Sequence, residues 1–153
     1  MLVVDRERLD DDGQPTVVGT YRLVRDVDAA RAGGFYSAGE YDLAPLLAAM
    51  QPGARVLELG RSCVLNTYRS KPACMQLLWK GVMVYVARFS VDMMFGCASL
   101  QGTDPDALAL PLSYLHHFHS APPDKAARAL PNLYVDMNRL PKEAISQSEA
   151  VRT

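Results

Sequence analysis

Apolar residues along the chain fall into short runs whose period changes from segment to segment, with Gly, Pro and charged residues between them. Met1–Asp5 is a short apolar start that passes into a polar turn, Arg6–Pro15 (RERLDDDGQP). Thr16–Val24 (TVVGTYRLV) is rich in β-branched and aromatic residues and predicts a strand. The two segments together predict a hairpin with a loop longer than the tightest kind. Residues 26–40 are polar and Gly-containing, anchored by Phe35 and Tyr36, and Leu43–Met50 predicts a short helix stopped by Gln51-Pro52-Gly53. Ala54–Leu65 is mostly apolar rather than alternating, the pattern of a central strand covered on both faces.

Pro72 suits the first turn of a helix, where a missing N–H costs little. Leu78, Val82, Tyr85, Val86 and Phe89 then recur at helical spacing through to Phe89. Val91–Ala98 (VDMMFGCA) predicts another buried strand. Asp104-Pro105 predicts a capped helix start, and that helix should reach about His117, kinked or restarted at Pro111. Leu133–Leu140 (LYVDMNRL) predicts a last strand. The order β-β-(α)-β-α-β-α-β predicts an α+β fold in three layers, a mixed central sheet with helices on its faces. We read residues 1–141 as a single core and residues 142–153 as a polar tail.

Composition narrows this picture. The chain has 153 residues, 49% hydrophobic and 22% charged, enough for one core. A net charge of −1 gives no basis for nucleic-acid binding. No apolar run approaches the 18 or so residues of a membrane span, and Met1-Leu2-Val3-Val4 is too short for a signal peptide. Cys63, Cys74 and Cys97 are odd in number and lack CxxC spacing, which argues against a disulfide framework or a thiolate zinc site. These bounds read as a soluble cytoplasmic domain.

Charge is unevenly spread. Residues 1–58 carry ten acids and six bases, whereas Leu59–Val91 holds no acid and five bases, Arg61, Arg69, Lys71, Lys80 and Arg88. Such a block is either a solvated helix face or a site for an anionic group or acidic partner. Arg69 and Lys71 are the stronger candidates for the second role, because they lie where a helix begins.

Several chemistries fit poorly. His116, His117 and His119 lack the Glu of HExxH and have no carboxylate closer than Asp124. They read as a helix-end cluster favoured by the dipole, not a metal site. The three cysteines stand in apolar contexts and read as small hydrophobes, not nucleophiles. GGFYSAG is neither a dinucleotide nor a P-loop motif.

LELGRSCVLNTYRS (57–70) holds the main conflict, with Glu58 and Arg61 among residues of a buried strand. Burying a charge is costly unless it is paired, so the two either face solvent or act on something. A strand, a short basic loop and a helix start together form a cradle for an oxyanion or phosphate. A carboxylate one strand-length earlier can deprotonate an amine for acyl transfer.

VVGTYRLVR, GGFYSAGEYDL, LELGRSCV, YRSKPACMQLLWKGV, MFGCASLQGTDP and LALPLSYLHH run in this order between about Thr16 and Leu140. In these blocks the chain resembles the acyl-carrier-protein-dependent ornithine N-acyltransferases, hemolysin-like members of the GNAT superfamily. The resemblance implies a GNAT-like core and transfer of a (3-hydroxy)fatty acyl group from acyl carrier protein to the α-amino group of L-ornithine. That is the first step of ornithine lipid biosynthesis, with the 4′-phosphopantetheine thioester as donor and no further cofactor or metal.

By the same resemblance, Glu58 is a catalytic base or amine-positioning carboxylate, and Arg61 an orienting or substrate-carboxylate group. Arg22 is a substrate-binding residue, and Arg69, Ser70, Lys71 and Ala73 bind the acyl donor. The acidic carrier protein would meet the basic 61–88 stretch, and peripheral contact with the inner membrane is implied. The chain departs from the family at Leu65-Asn66-Thr67 and at Pro72. It reads as truncated at both ends, an incomplete core with exposed sheet edges open to homo-oligomerisation. A non-catalytic remnant acting as an interaction module, and an autoinducer-synthase-like acyltransferase, stand as alternatives.

Overall fold

A computed structural model describes residues 1–145; residues 146–153, most of the predicted tail, lie outside the described residues. The described chain forms two compact units, Met1–Phe35 with Pro52–Cys97, and Tyr36–Gln51 with the described residues from Ala98 onward.

The first unit is built on a four-stranded sheet in the order β1-β2-β4-β5. Strands β1 (Leu2–Leu9), β2 (Pro15–Arg25) and β4 (Val56–Val64) pair antiparallel, while β5 (Met93–Phe95) runs parallel to β4. The predicted polar turn starts late, because β1 continues to Leu9. Only Asp10–Gln14 turns, with Asp10 Oδ1 accepting from the Gln14 amide at 2.8 Å and Gly13 at φ 72°. An edge strand of an antiparallel sheet can leave Arg6, Glu7 and Arg8 exposed, so polarity did not end it.

Helix α3 (Pro72–Phe89) has the predicted bounds, and its stripe Cys74, Leu78 and Val82 is buried. Gly19 on β2 makes room for it: a Cβ there would lie 2.9 Å from Cys74 Sγ and 3.4 Å from a Leu78 methyl. Parallel pairing through α3 is the usual solution for β4 and β5, since parallel neighbours need a crossover.

Helix α1 (Asp26–Ala32) lies in the stretch read only as polar and Gly-containing, with no element expected there. Its signals are local: Asp26 and Asp28 in the first turn, then Gly33 in the left-handed conformation, with the Gly34 amide bonded to the Ala29 carbonyl at 2.8 Å. It buries only Ala29, so it has no apolar stripe to detect. The strand predicted over 91–98 shrinks to β5, because pairing with β4 stops at Glu58 opposite Phe95.

The second unit contains a two-residue pairing between β3 (Tyr41–Asp42) and β6 (Arg128–Ala129), with helices α2 (Ala44–Ala48) and α4 (Ala109–His119). The helix expected from Asp104 starts at Ala109. Asp104 Oδ1 accepts from the Asp106 amide at 3.0 Å and forms a turn first, and Pro111 then falls in the first turn of α4. The strand predicted over 133–140 does not form. Leu133, Tyr134 and Val135 are exposed, and Asp136 Oδ1 takes the Asn138 amide at 2.9 Å, a local bond that competes with strand pairing. The segment is instead held by Ser113, fully buried, whose hydroxyl accepts from the Arg139 and Leu140 amides and donates to the Met137 carbonyl.

Candidate active site

The candidate residues of the first unit gather around β4. Val56, Leu57 and Glu58 are all buried, with Glu58 only 1% exposed, while Arg61, Ser62 and Cys63 are exposed. Glu58 stands at the last rung of the ladder with β5, opposite Phe95. Beyond it β5 leaves and β4 runs on to Val64 beside β2. Gly96 makes this departure possible: a Cβ there would collide with the Leu59 carbonyl oxygen. Gly96→Ala is therefore expected to destabilise the chain by about 1–3 kcal/mol, read as a lower urea midpoint at unchanged m-value. An unchanged midpoint would show that the strands separate freely there.

A bulge interrupts β4. Thr20 pairs with Cys63 but Arg22 pairs with Gly60, so Arg61 and Ser62 together stand against Tyr21. Arg61 takes φ 52°, a left-handed conformation costing roughly 1–2 kcal/mol for a residue with a Cβ. The Thr20 hydroxyl lies 3.4 Å from the Arg61 carbonyl it can donate to. Arg61, read with Glu58 as a site residue, does not share its face: three positions along a strand already put the two on opposite sides, and at the bulge the Arg61 side chain is exposed. Bulges of this kind recur beside active sites, where they re-aim a side chain.

The structure does bring Arg22 to the face of Glu58. Positions 58 and 60 lie on one side of β4, and the Arg22 guanidinium occupies the space where a side chain on Gly60 would sit, 2.9 Å from the position of its Cβ. A buried carboxylate and a guanidinium thus share one face of the sheet.

Past Val64, a 3-10 turn (Asn66–Tyr68) leads to Arg69, Ser70 and Lys71, all exposed, and then to α3. The first turn of α3 carries no acid and no side-chain cap, and Pro72 supplies no N–H. The positive end of the helix dipole therefore meets Arg69 and Lys71 with no acid in the helix's own first turn, and the nearby carboxylate is that of Asp5 on β1, which feels the Lys71 charge. Arg69 Nε donates to the Val64 carbonyl at 3.2 Å, and Lys71 Nζ lies 4.4 Å from the centre of the Tyr68 ring. A cleft of about 420 Å³ opens here, lined by Ser62, Cys63, Arg69, Lys71, Pro72 and Met75. Ala73 lines a neighbouring cleft of about 390 Å³ with Val3, Asp5, Val18 and Leu77, and Tyr68 and Lys71 border both.

Tyr68 and Asp5 were missed in the sequence, being 63 positions apart. The Tyr68 hydroxyl donates to Asp5 Oδ2 at 2.5 Å, while Asp5 Oδ1 accepts from the amides of Glu7 and Arg8. The hydrogen bond from Tyr68, followed by that from the Glu7 amide, holds the Asp5 carboxyl below its ordinary 3.8. The same bond raises the Tyr68 phenol above 10.0. For Asp5, stability from the bond is present above pH 3.8 and lost as pH falls through the lower folded value. For Tyr68 it is present below pH 10.0 and lost as pH rises through the higher folded value. The gap in urea midpoint between the parent chain and Asp5→Asn should therefore be constant near neutrality and close at acid pH. A gap unchanged in acid would mean that the Asp5 charge contributes nothing.

Other expectations are revised. Cys74 is buried, but Cys63 and Cys97 are exposed rather than apolar packing, because β4 past the bulge and the chain after β5 lie open. The histidines end α4, where His117 Nε2 donates to the Leu140 carbonyl at 2.9 Å. A cleft of about 610 Å³ in the second unit, lined by Tyr41, Leu112, His116, Leu133 and Tyr134, holds none of the candidate residues. Among the described residues no helix is long and apolar enough to cross a membrane.

A buried carboxylate at the point where two parallel strands part, followed by an acid-free helix start with basic residues, is an arrangement suited to acyl transfer. The family model described as "Acetyltransferase (GNAT) domain" matches residues 1–80, and the chain belongs to that family. It is 52% identical over 135 residues to the L-ornithine N(alpha)-acyltransferase of Brucella abortus, a match covering 88% of this chain and 47% of the relative. Proteins of the same name from Agrobacterium fabrum and Rhizobium meliloti are 46% and 44% identical over 151 residues, 99% of this chain and 50% of each relative. The chain thus spans about half the length of the curated relatives it matches. No solved structure matches it.

Proposed function

We propose that this chain carries the catalytic core of an N-acyltransferase that moves a 3-hydroxyfatty acyl group from acyl carrier protein to the α-amino group of L-ornithine, with residues 1–141 as that core. The observation that carries the reading is Glu58, a buried carboxylate where β4 and β5 part, sharing a face with Arg22 and followed along the strand by the cradle at the start of α3. The names of the relatives supply the acceptor.

The α-amino group of a free amino acid is protonated at neutral pH and has no lone pair to attack with. Glu58 accepts that proton, directly or through one water, and the freed amine attacks the thioester carbonyl. The C–N bond forms, the C–S bond breaks, the electron pair leaves on the phosphopantetheine sulfur, and that sulfur takes up the second amine proton to leave as the thiol. Arg22 holds the ornithine carboxylate, and Arg61 orients the acceptor at the mouth of the site. Arg69, Lys71 and the amides around Ser70 and Ala73 bind the phosphate of the phosphopantetheine arm. The bases Lys80 and Arg88 farther along α3 meet the acidic surface of the carrier protein, in a cytoplasmic protein that touches the inner membrane only at its periphery. The edge of β1, with Leu2, Val4 and Leu9 exposed, favours self-association.

Incubating the purified chain with 3-hydroxyacyl carrier protein and L-ornithine, then searching for N-acylornithine by mass spectrometry, tests the proposal. Product dependent on both substrates is expected. Absence of product from folded protein would favour a binding module that keeps the core without its chemistry.

A further inference from the structure

The loop that leads into α3 is tied to the opposite edge of the sheet. Asp5 on β1 receives the Tyr68 hydroxyl, and three residues farther along, Arg8 donates from its guanidinium to Thr67 Oγ1 at 3.3 Å. The Tyr68 ring in turn lies under the Lys71 ammonium at 4.4 Å. Both oxygens of Asp5 are engaged, Oδ2 by Tyr68 and Oδ1 by the amides of Glu7 and Arg8, so the carboxylate is a fixed anchor rather than a swinging side chain. Tyr68 also forms part of the border between the two clefts beside the start of α3.

We propose that Tyr68, anchored by Asp5, is a positioning residue for the acyl donor. It sets the place of the Lys71 ammonium and of the 66–71 backbone, and so the shape of the phosphate cradle. The inference rests on the acyltransferase reading above. The physical argument is one of reach and entropy. Lys71 is a long, flexible point charge whose ordering on donor binding costs affinity. A ring held beneath it restrains the ammonium in advance by a cation–π contact. A ring on a short surface turn is useful for this only if it is itself held, and the bond to Asp5 supplies the hold. The turn has its own backbone bonds, Tyr68 N to the Leu65 carbonyl at 2.7 Å and Lys71 N to the Tyr68 carbonyl at 3.0 Å, but these fix its curl and not its attachment to the sheet. The Leu65 amide holds the start of the turn to the Val18 carbonyl on β2 at 2.9 Å, and the two side-chain bonds to β1 attach the rest of it.

Tyr68→Phe keeps the ring and removes the hydroxyl; Asp5→Asn keeps the shape and removes the charge. Each should raise KM for 3-hydroxyacyl carrier protein roughly tenfold, below the ~100-fold that an ångström of misplacement can cost. Neither should change kcat or KM for L-ornithine by more than about twofold. Because the two residues act as one unit, the double variant should be no worse than either single one. Hydrogen exchange of the Tyr68, Arg69 and Lys71 amides should quicken in both variants, with the middle of α3 unaffected, a readout that needs no substrate.

A parent chain that fails to turn over the charged carrier protein strikes the acyltransferase reading and the donor role with it. Unchanged donor KM in variants of an active parent strikes the positioning role of Tyr68 and Asp5 alone, as does additivity in the double variant. Unchanged exchange of the three amides also overturns it.

Discussion

Glu58→Gln is expected to lower kcat for acylation of L-ornithine by about 10²- to 10⁴-fold, the range that a positioned proton acceptor contributes. The substitution is close to isosteric, which matters for a side chain with 1% exposure in a packed strand. Gln fills the same volume and still hydrogen-bonds, so the ladder with Phe95 and the face shared with Arg22 remain. What it cannot do is accept a proton from the substrate ammonium. The two roles for the carboxylate then separate kinetically. If Glu58 takes the proton, kcat falls and KM for L-ornithine holds; if it only positions the amine, KM rises and kcat falls less. Turnover equal to that of the parent chain would exclude both. A urea midpoint close to the parent's is the control that ties any loss to chemistry.

The part of this site legible in the sequence is the part written by local pattern. An apolar run with Glu58 inside it predicted a central strand, and the absence of acid from Leu59 to Val91 pointed to the helix start at Pro72. Both follow from burial and charge summed over neighbouring residues. The mixed sheet and the bounds of α3 were legible for the same reason, but the sheet has four strands because the fifth expected one, over 133–140, does not form. Arg61 was not. A bulge is a property of two strands in register, and nothing in LELGRSCV announces that residue 61 takes the left-handed conformation, a place where Gly60 next to it would be the expected occupant. The bond between Asp5 and Tyr68 is invisible for a related reason, since it joins positions 63 apart through the curl of one short turn. In the second unit the error runs the other way. Leu133–Leu140 has strand composition, yet Asp136 within it and Ser113 on α4 satisfy its backbone, and among the described residues no strand pairs with it. Composition states what a segment can bury, and pairing decides whether it does.

Leu78→Ala should produce the largest loss of stability from a single side chain on the donor helix, about 2–5 kcal/mol as a lower urea midpoint. Leu78 is fully buried, and its methyl reaches into the space that Gly19 leaves on β2. Truncation therefore opens a void against a backbone with no side chain of its own to collapse into it. The rigidity of strands on either side of Gly19 keeps that void from closing, which places the loss above that of simple transfer. Leu78→Met, which conserves volume, should cost less than about 1.5 kcal/mol. Leu77, one position earlier but 53% exposed, should tolerate Ala within roughly 0.5 kcal/mol. With total stabilities of small domains near 5–15 kcal/mol, the Leu78→Ala loss is a large fraction of the whole. It should also reach the site, because Cys74 and Leu78 are the contacts that seat the first turns of α3, and with them Lys71 and Ala73, against β2. A midpoint for Leu78→Ala equal to that for Leu77→Ala would mean that α3 is not anchored through its buried stripe.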